Sequence, residues 1–266
     1  MAQGDLSVRV EPSSRDEMGR FARDFNHMAA RLQENMTALE ESVAAQERFM
    51  GSFAHEMKTP MTSIIGYADL LRSQALEAAD SQEAANYIFT EARRLERLSL
   101  WLLQLYLTKH EKPEMERVEV GDLAQRLVQR LRPIYKKEGI RLECKTKPGQ
   151  WLLNRELMES VLINLMDNAR KAMEHGGSIA VFVDFPEDSC RIRVVDNGRG
   201  MPPEAMEHLT DAFYRVDKSR SRAQGGVGLG LSLCKEILQW HMGELCFESA
   251  PGRGTCVSVI LGGSHT

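Results

Sequence analysis

The chain has 266 residues, 42% apolar and 27% charged, the make-up of a soluble, core-forming protein with room for one or two domains and not of a disordered one. Its net charge of −4 argues against nucleic acid as the main partner. Five cysteines, an odd number with no CxxC pair, argue against a disulfide framework or a thiolate metal centre and for buried free thiols in a reducing compartment.

Up to about residue 110 the pattern is helical. From Leu32 the apolar positions run Leu32, Met36, Leu39, Val43, Met50, Phe53 and Met57, steps of four and three with Gln46 in the one missing slot. That is a heptad seam, predicting a coiled coil that leads into a helical bundle. A second run, Ile88, Ala92, Leu95, Ser99, Leu102 and Leu105, keeps the rhythm, and "SQALEAADSQ" (73–82) is the expected turn between them. One such hairpin leaves apolar surface open, and two close a four-helix bundle, so a homodimer is expected.

"KHEKPEME" (109–116), with Pro113, reads as a linker. Beyond it the spacing predicts helices over 120–139, 154–174 and 228–242, and strands over 140–146, 178–185, 190–196, 244–248 and 254–261. Helices mixed with strands over about 150 residues imply an α+β sandwich, a helical layer on a sheet. No apolar run approaches the length of about 18 residues that a membrane span needs, and no secretory leader is seen, so this stretch is expected neither to span nor to cross a membrane.

The chemistry concentrates in a few stretches. In "SFAHEMKTPMTSI" (52–64), residues 53 and 57 lie on the seam, and position 55 is about 200° round the helix from each. His55 therefore faces outward, with Thr59 one turn on and Glu56 adjacent. Pro60 removes the donor that the Glu56 carbonyl would use, which predicts a bend just after the histidine. An exposed imidazole whose tautomer a neighbouring carboxylate fixes can serve as a nucleophile. "NLMDNARKAM" (164–173) puts Asn164 and Asn168 on one helix face with Lys171 a turn further, a set suited to a magnesium ion and phosphate oxygens. "VVDNGRGMP" (194–202) ends a strand with Asp196, able to accept from an exocyclic amine, and Gly198 and Gly200, which let backbone approach a flat base. "GGVGLGLSL" (225–233) places Gly226, Gly228 and Gly230 where a helix opens, so that amides and helix dipole favour phosphate. No P-loop pattern GxxxxGK[ST] occurs.

In order and spacing, "HEMKTP", "NLMDNARK", "DNGRG", "FYRVDKSRSR" and "GGVGLGL" resemble the H, N, G1, F and G2 boxes of a sensor histidine kinase, and "GRGT" (252–255) resembles the closing glycine motif of the same domain. The likeness covers about 49 to 262. The first 35 or so residues, including "DEMG" (16–19), resemble the second half of a HAMP relay. The resemblance implies an all-α dimeric four-helix bundle, one helical hairpin per chain, plus an α+β ATP-binding sandwich of the Bergerat or GHKL type. The implied segments are 1–37 (partial HAMP and start of the signalling helix), 38–110 (dimerisation and phosphotransfer hairpin), 111–116 (linker) and 117–262 (catalytic domain). It further implies a protein-histidine kinase of a two-component system, using ATP and Mg²⁺. The partner would be the receiver domain of a response regulator, with phosphatase activity toward it. The whole would be a cytoplasmic piece of a membrane sensor, tied to the membrane only through a missing N-terminal transmembrane segment.

By the same resemblance His55 is the phospho-acceptor, Glu56 its hydrogen-bonding base, and Thr59 serves the phosphatase reaction. Asn168 ligates magnesium, Asn164 and Lys171 meet phosphates, and Asp196 reads adenine. Gly198 and Gly200 shape the base pocket, and Gly226, Gly228, Leu229 and Gly230 the phosphate rim. Arg215 and Lys218 stand near the triphosphate on a lid over about 211–226, and Thr255 lies in the closing motif. The chain departs from the family pattern at Ala172, where an aromatic is common, at Val227, where a small hydroxyl residue is common, and in the lead-in "DAFYR". Chaperone and mismatch-repair ATPases share the nucleotide fold without the "HEMKTP" hairpin, and a silent dimerising scaffold would leave the intact Asn168, Asp196 and glycine set without a use.

Overall fold

The computed structural model describes residues 9–11, 17–73, 77–110, 112–173, 176–216 and 228–262. The chain divides into two compact units, Met1–Lys58 and Thr59–Thr266. Helix α1 (Glu17–Ser73) contributes to both.

In the first unit the small residues Ala22 and Ala29 are buried on the helix face that also presents Asn26. Asn26 binds the extended segment 9–11 in both directions: it accepts from the Val10 N–H (2.9 Å) and donates to the Val10 carbonyl (2.7 Å). Arg9 donates to Gln33 (3.1 Å), about two turns beyond Asn26. Of the expected seam, Leu32, Met36, Leu39, Val43 and Met50 are exposed in the single chain, while Phe53 and Met57 are half-buried. An open stripe at heptad spacing is a surface for another helix.

In the second unit α1 continues through a buried Pro60, which does not end it. The turn is shorter than expected, for helix α2 runs from Ala78 to His110 and its first turn is closed by the Ser81 N–H on the Glu77 carbonyl (2.9 Å). Tyr67 and Tyr87 stack across the hairpin, with centroids 4.8 Å apart and planes at 3°. The buried stripe of α2 has the expected rhythm in a rotated phase. Ala84, Arg94, Leu98 and Trp101 are buried and Ala92 and Ser99 exposed, while Ile88, Leu95, Leu102 and Leu105 are half-buried. The rotation arises because α2 packs against the sandwich as well as the hairpin, so its burial is spread around the cylinder. Phe89, Leu100, Leu103 and Tyr106 remain exposed on it.

The sandwich has a five-stranded sheet in the order β2-β4-β5-β7-β6, with β2 Ile140–Thr146, β4 Gly177–Asp184, β5 Cys190–Asp196, β6 Gly243–Ser249 and β7 Thr255–Leu261. Only β2 and β4 pair in parallel. Helices α3 (Val120–Lys137), α4 (Arg155–Lys171) and α6 (Gly230–Trp240) form the other layer, and a single-turn α5 spans Pro203–Met206. Strict alternation sends Ile179, Val181, Val183, Ile192 and Val194 into the core, where they meet Leu123, Leu127, Leu162, Leu165 and Ile237. On the bare face Arg191 grips Asp184 with two bonds (3.0 and 2.7 Å), and Arg193 lies over the Phe182 ring. Two strands were not expected: β1 (Glu116–Glu119) and β3 (Gln150–Leu153) pair antiparallel, Val118 opposite Trp151. With α2 reaching His110 and β1 starting at Glu116, the connection is shorter than the expected linker. All five cysteines are free; Cys190 and Cys234 are buried as expected, whereas Cys144, Cys246 and Cys256 are half-buried. Among the described residues no helix is long and apolar enough to cross a membrane.

Candidate functional site

Helix α4 begins with Asn154, whose side chain caps it by accepting from the Leu157 N–H (3.0 Å). The cap is steadied from behind by buried His241: its Nε2 accepts the Asn154 N–H (3.0 Å) while Nδ1–H donates to the Ile237 carbonyl (2.8 Å). Burial pushes the His241 imidazole below its ordinary pKa, so it is held neutral, as this pair of bonds requires. The far half of α4 forms one wall of a cavity of about 470 Å³, into which Asn164, Asn168, Lys171, Arg215, Gly228 and Gly230 converge.

Asn168 is exposed on the cavity wall. Asn164 donates back to the Ser160 carbonyl (2.9 Å), which aims its Oδ1 at the loop; a Cβ on Gly230 would stand 2.7 Å from that oxygen. Lys171 pairs with Asp167, and Asp167 also takes two bonds from Arg170 (2.7 and 3.0 Å), which in turn grips Glu138 (2.9 Å). Burial alone would raise the Asp167 carboxyl, but Lys171 and Arg170 outweigh it and hold it below the usual carboxylate range.

Asp196 ends β5 and is 7% exposed; it lies behind the cavity wall, of which Gly200 and Thr255 are part, and is not itself among the lining residues. Its Oδ1 accepts the N–H groups of Gly198 (2.8 Å) and Thr255 (3.3 Å), leaving Oδ2 for another donor. Burial raises its pKa, and the two backbone donors work against that rise. Gly198 is packed so that a Cβ would meet the Ala172 carbonyl at 2.8 Å, and Gly200 takes φ +64 with the Ala250 carbonyl 2.0 Å from where a Cβ would be. Buried Thr255 shares a hydrogen bond with Ser249 (3.0 Å), which also receives the Met201 N–H (3.0 Å). Leu229, buried, precedes α6, and Gly228 takes φ +77. Phe213 sits at φ +67, unusual for an aromatic, and its N–H donates to the Gly228 carbonyl (2.8 Å), tying the lid start to the glycine loop. Lys218 and Gly226, and the lid from 217 on, lie outside the described residues.

His55 is exposed on α1 and Glu56 half-buried beside it; both belong to the first unit. Thr59, in the second, is half-buried, and its carbonyl accepts from the Ser63 hydroxyl (3.2 Å). Sequence reasoning missed Asp167, Trp101 and Gln104, all of which line the cavity. An aspartate four residues before Lys171 was the visible sign of the first. The two α2 residues carried no local sign.

Three family models match stretches of the chain. The ATPase domain common to histidine kinases, DNA gyrase B and HSP90 matches residues 154–263, the His Kinase A phospho-acceptor domain 45–110, and the HAMP domain 1–34. A domain that binds nucleotide in this fold, joined to a phospho-acceptor hairpin, defines a class of signalling kinases. The chain belongs to the sensor histidine kinase family. It is similar to the signal transduction histidine-protein kinase ArlS of Staphylococcus epidermidis (34% identical over 219 residues, 81% of this chain and 48% of that protein). It is also similar to the sensor histidine kinase YkoH of Bacillus subtilis (30% over 256 residues, 95% and 54%). The chain thus spans about half the length of the curated relatives it matches. Among solved structures it shares its fold with the histidine kinase AdeS of Acinetobacter baumannii (TM-score 0.61, 18% identity, 78% of this chain and 96% of that one). The fold is shared too with the histidine kinase ThkA in its complex with the response regulator TrrA (TM-score 0.68, 21% identity, 86% and 65%).

Proposed function

We propose that this chain is the kinase core of a two-component sensor: it binds ATP in the cavity over α4, transfers the γ-phosphoryl group to His55, and passes it to an aspartate in the receiver domain of a response regulator. The observation that carries the reading is the convergence of Asn164, Asn168, Lys171, Arg215 and the Gly228–Gly230 loop on one cavity, in a chain that also exposes His55. In the transfer, a ring nitrogen of His55 forms the N–P bond as the bond from the γ-phosphorus to the bridging oxygen breaks, and ADP leaves with that electron pair. Glu56 holds the proton on the other nitrogen, so that the attacking one keeps its lone pair. Lys171 and Arg215 offset charge on the transferring group. The oxygen of Asn168 beside phosphate and water oxygens is a donor set that fits magnesium, which supplies further charge neutralisation when bound.

Asp196 Oδ2 accepts the adenine amine, Gly198, Gly200 and Thr255 shape the base pocket, and Lys218 and Gly226 belong to the lid and phosphate rim. Thr59 orients water in dephosphorylation of the regulator. The open stripes on α1 and α2 support a homodimer closed through residues 38–110, with 1–37 as HAMP relay, 111–116 as linker and 117–262 as the catalytic domain. The HAMP match over residues 1–34 supports a place at the cytoplasmic face of the cell membrane.

ATP labelled on its γ-phosphate tests the reading. Wild type takes up acid-labile label in the presence of magnesium, and His55→Gln takes up none while still binding nucleotide. Label retained in His55→Gln would remove His55 from the reaction.

A further inference from the structure

Helix α2 reaches the phosphate end of the cavity with two side chains on one face. Trp101, 8% exposed, donates its indole N–H to the Leu229 carbonyl (2.8 Å), and its ring meets Phe213 edge-on at 6.4 Å. Gln104, three residues on, donates to the Ser160 hydroxyl (3.0 Å). These two acceptors belong to different elements. Leu229 opens α6 beside Gly230, and its carbonyl also takes the Leu233 N–H (3.1 Å) and the Ser232 hydroxyl (2.9 Å). Ser160 lies one turn before Asn164 on α4, and its carbonyl accepts the Asn164 carboxamide. One helix face thus holds both sides of the gap where Asn164 and Gly230 confront each other.

We infer that Trp101 and Gln104 are positioning residues of the nucleotide site, through which α2 sets the gap between α4 and the α6 loop that receives the phosphates. The inference rests on the nucleotide reading of the cavity. Trp101 fixes the direction of the Leu229 carbonyl, and with it the Gly230 amide at the positive end of the α6 dipole. Gln104 holds the Ser160 hydroxyl and so ties α2 to the turn of α4 that carries Asn164. When the sandwich leaves α2 the indole N–H passes to water and the loop loses a donor. Seating on α2 and nucleotide binding therefore favour each other, and by linkage the coupling works equally in both directions. Both side chains act through Leu229 and Ser160, so their loss falls on ATP affinity and not on the rate at saturation.

The test uses the full chain. Trp101→Phe keeps a ring and removes the N–H, and Gln104→Leu keeps volume and removes the amide. Calorimetric titration with magnesium AMPPNP is paired with initial autophosphorylation rates over a range of ATP. Each variant should bind about threefold to tenfold more weakly, the worth of one net hydrogen bond, with KM raised to match. The rate at saturation should not fall, and the melting temperature should move by less than about 4 °C. Affinity equal to wild type in both variants overturns the inference. So does a joint fall in affinity, saturating rate and melting temperature in Trp101→Phe, which would mark a merely structural role. Failure of wild type itself to bind AMPPNP refutes the nucleotide reading and takes this inference with it, a result distinct from wild-type binding that the variants match.

Discussion

Two glycines near the cavity share a backbone conformation and differ in their surroundings, which makes them a controlled pair. Gly200 and Gly252 have φ of +64 and +75. A Cβ on Gly252 meets nothing within 4 Å, whereas one on Gly200 would stand 2.0 Å from the Ala250 carbonyl. Gly252→Ala should therefore cost only the left-handed backbone penalty, about 1–2 kcal/mol. Gly200→Ala carries the same penalty plus about 1–3 kcal/mol of overpacking, because a backbone carbonyl must move and not the tip of a flexible side chain. At about 2–4 °C per kcal/mol for a unit of this size, the two variants should separate by roughly 2–12 °C in the melting of the catalytic half. The moved carbonyl belongs to the loop whose Gly252 N–H binds the Arg199 carbonyl (2.7 Å), so Gly200→Ala should also weaken nucleotide binding by about tenfold or more, while Gly252→Ala stays near wild type. Calorimetric melting and a nucleotide titration on the same samples measure both effects. Equal destabilisation by the two substitutions, or wild-type affinity in Gly200→Ala, would refute the reasoning.

Asp196→Asn keeps an Oδ1 to accept from Gly198 and Thr255, so it should remain folded, yet it presents an amide where Oδ2 stood; nucleotide affinity should drop about tenfold to a hundredfold, read by titration with ADP. The neutral state of His241 makes stability pH-dependent. Its folded pKa lies below the ordinary 6.5, so the unfolded chain binds more protons in that range, and stability falls as pH drops below 6.5 toward the lowered folded value. The contribution is at most about 1.4 kcal/mol per pH unit, and His241→Gln should flatten the melting-temperature profile between pH 5 and 7 relative to wild type. Parallel profiles would show that the imidazole is not responsible.

Much of this was legible in the sequence because one physical signal dominated each segment. Helix α3 and strands β2 and β5 run where their periodicity placed them, since each buries one face against one neighbour. His55 is exposed for the same reason, two seam residues fixing its phase. Where a segment answers to more than one neighbour, the reading slipped. The buried stripe of α2 turned to meet the sandwich, and neither Trp101 nor Gln104 could be assigned to a cavity built by residues 60 and more positions downstream. Strands β1 and β3, four residues each, are too short to show a period and are defined only by finding each other. Lys171 was legible as sharing a wall with Asn164 and Asn168, but its attachment to Asp167 was not, because a helical pair at that spacing is as common on an idle surface.

That attachment bears on turnover. Lys171 is not a bare charge awaiting an anion, so on the proposed reading a triphosphate would gain it only by exchange, displacing Asp167. Once displaced, the carboxylate keeps Arg170, and Arg170 keeps Glu138, so no member of the chain is stranded in a partly buried place. A site arranged this way would give up some affinity for the proposed nucleotide and in return let the spent diphosphate go, the lysine falling back to a carboxylate still held by Arg170.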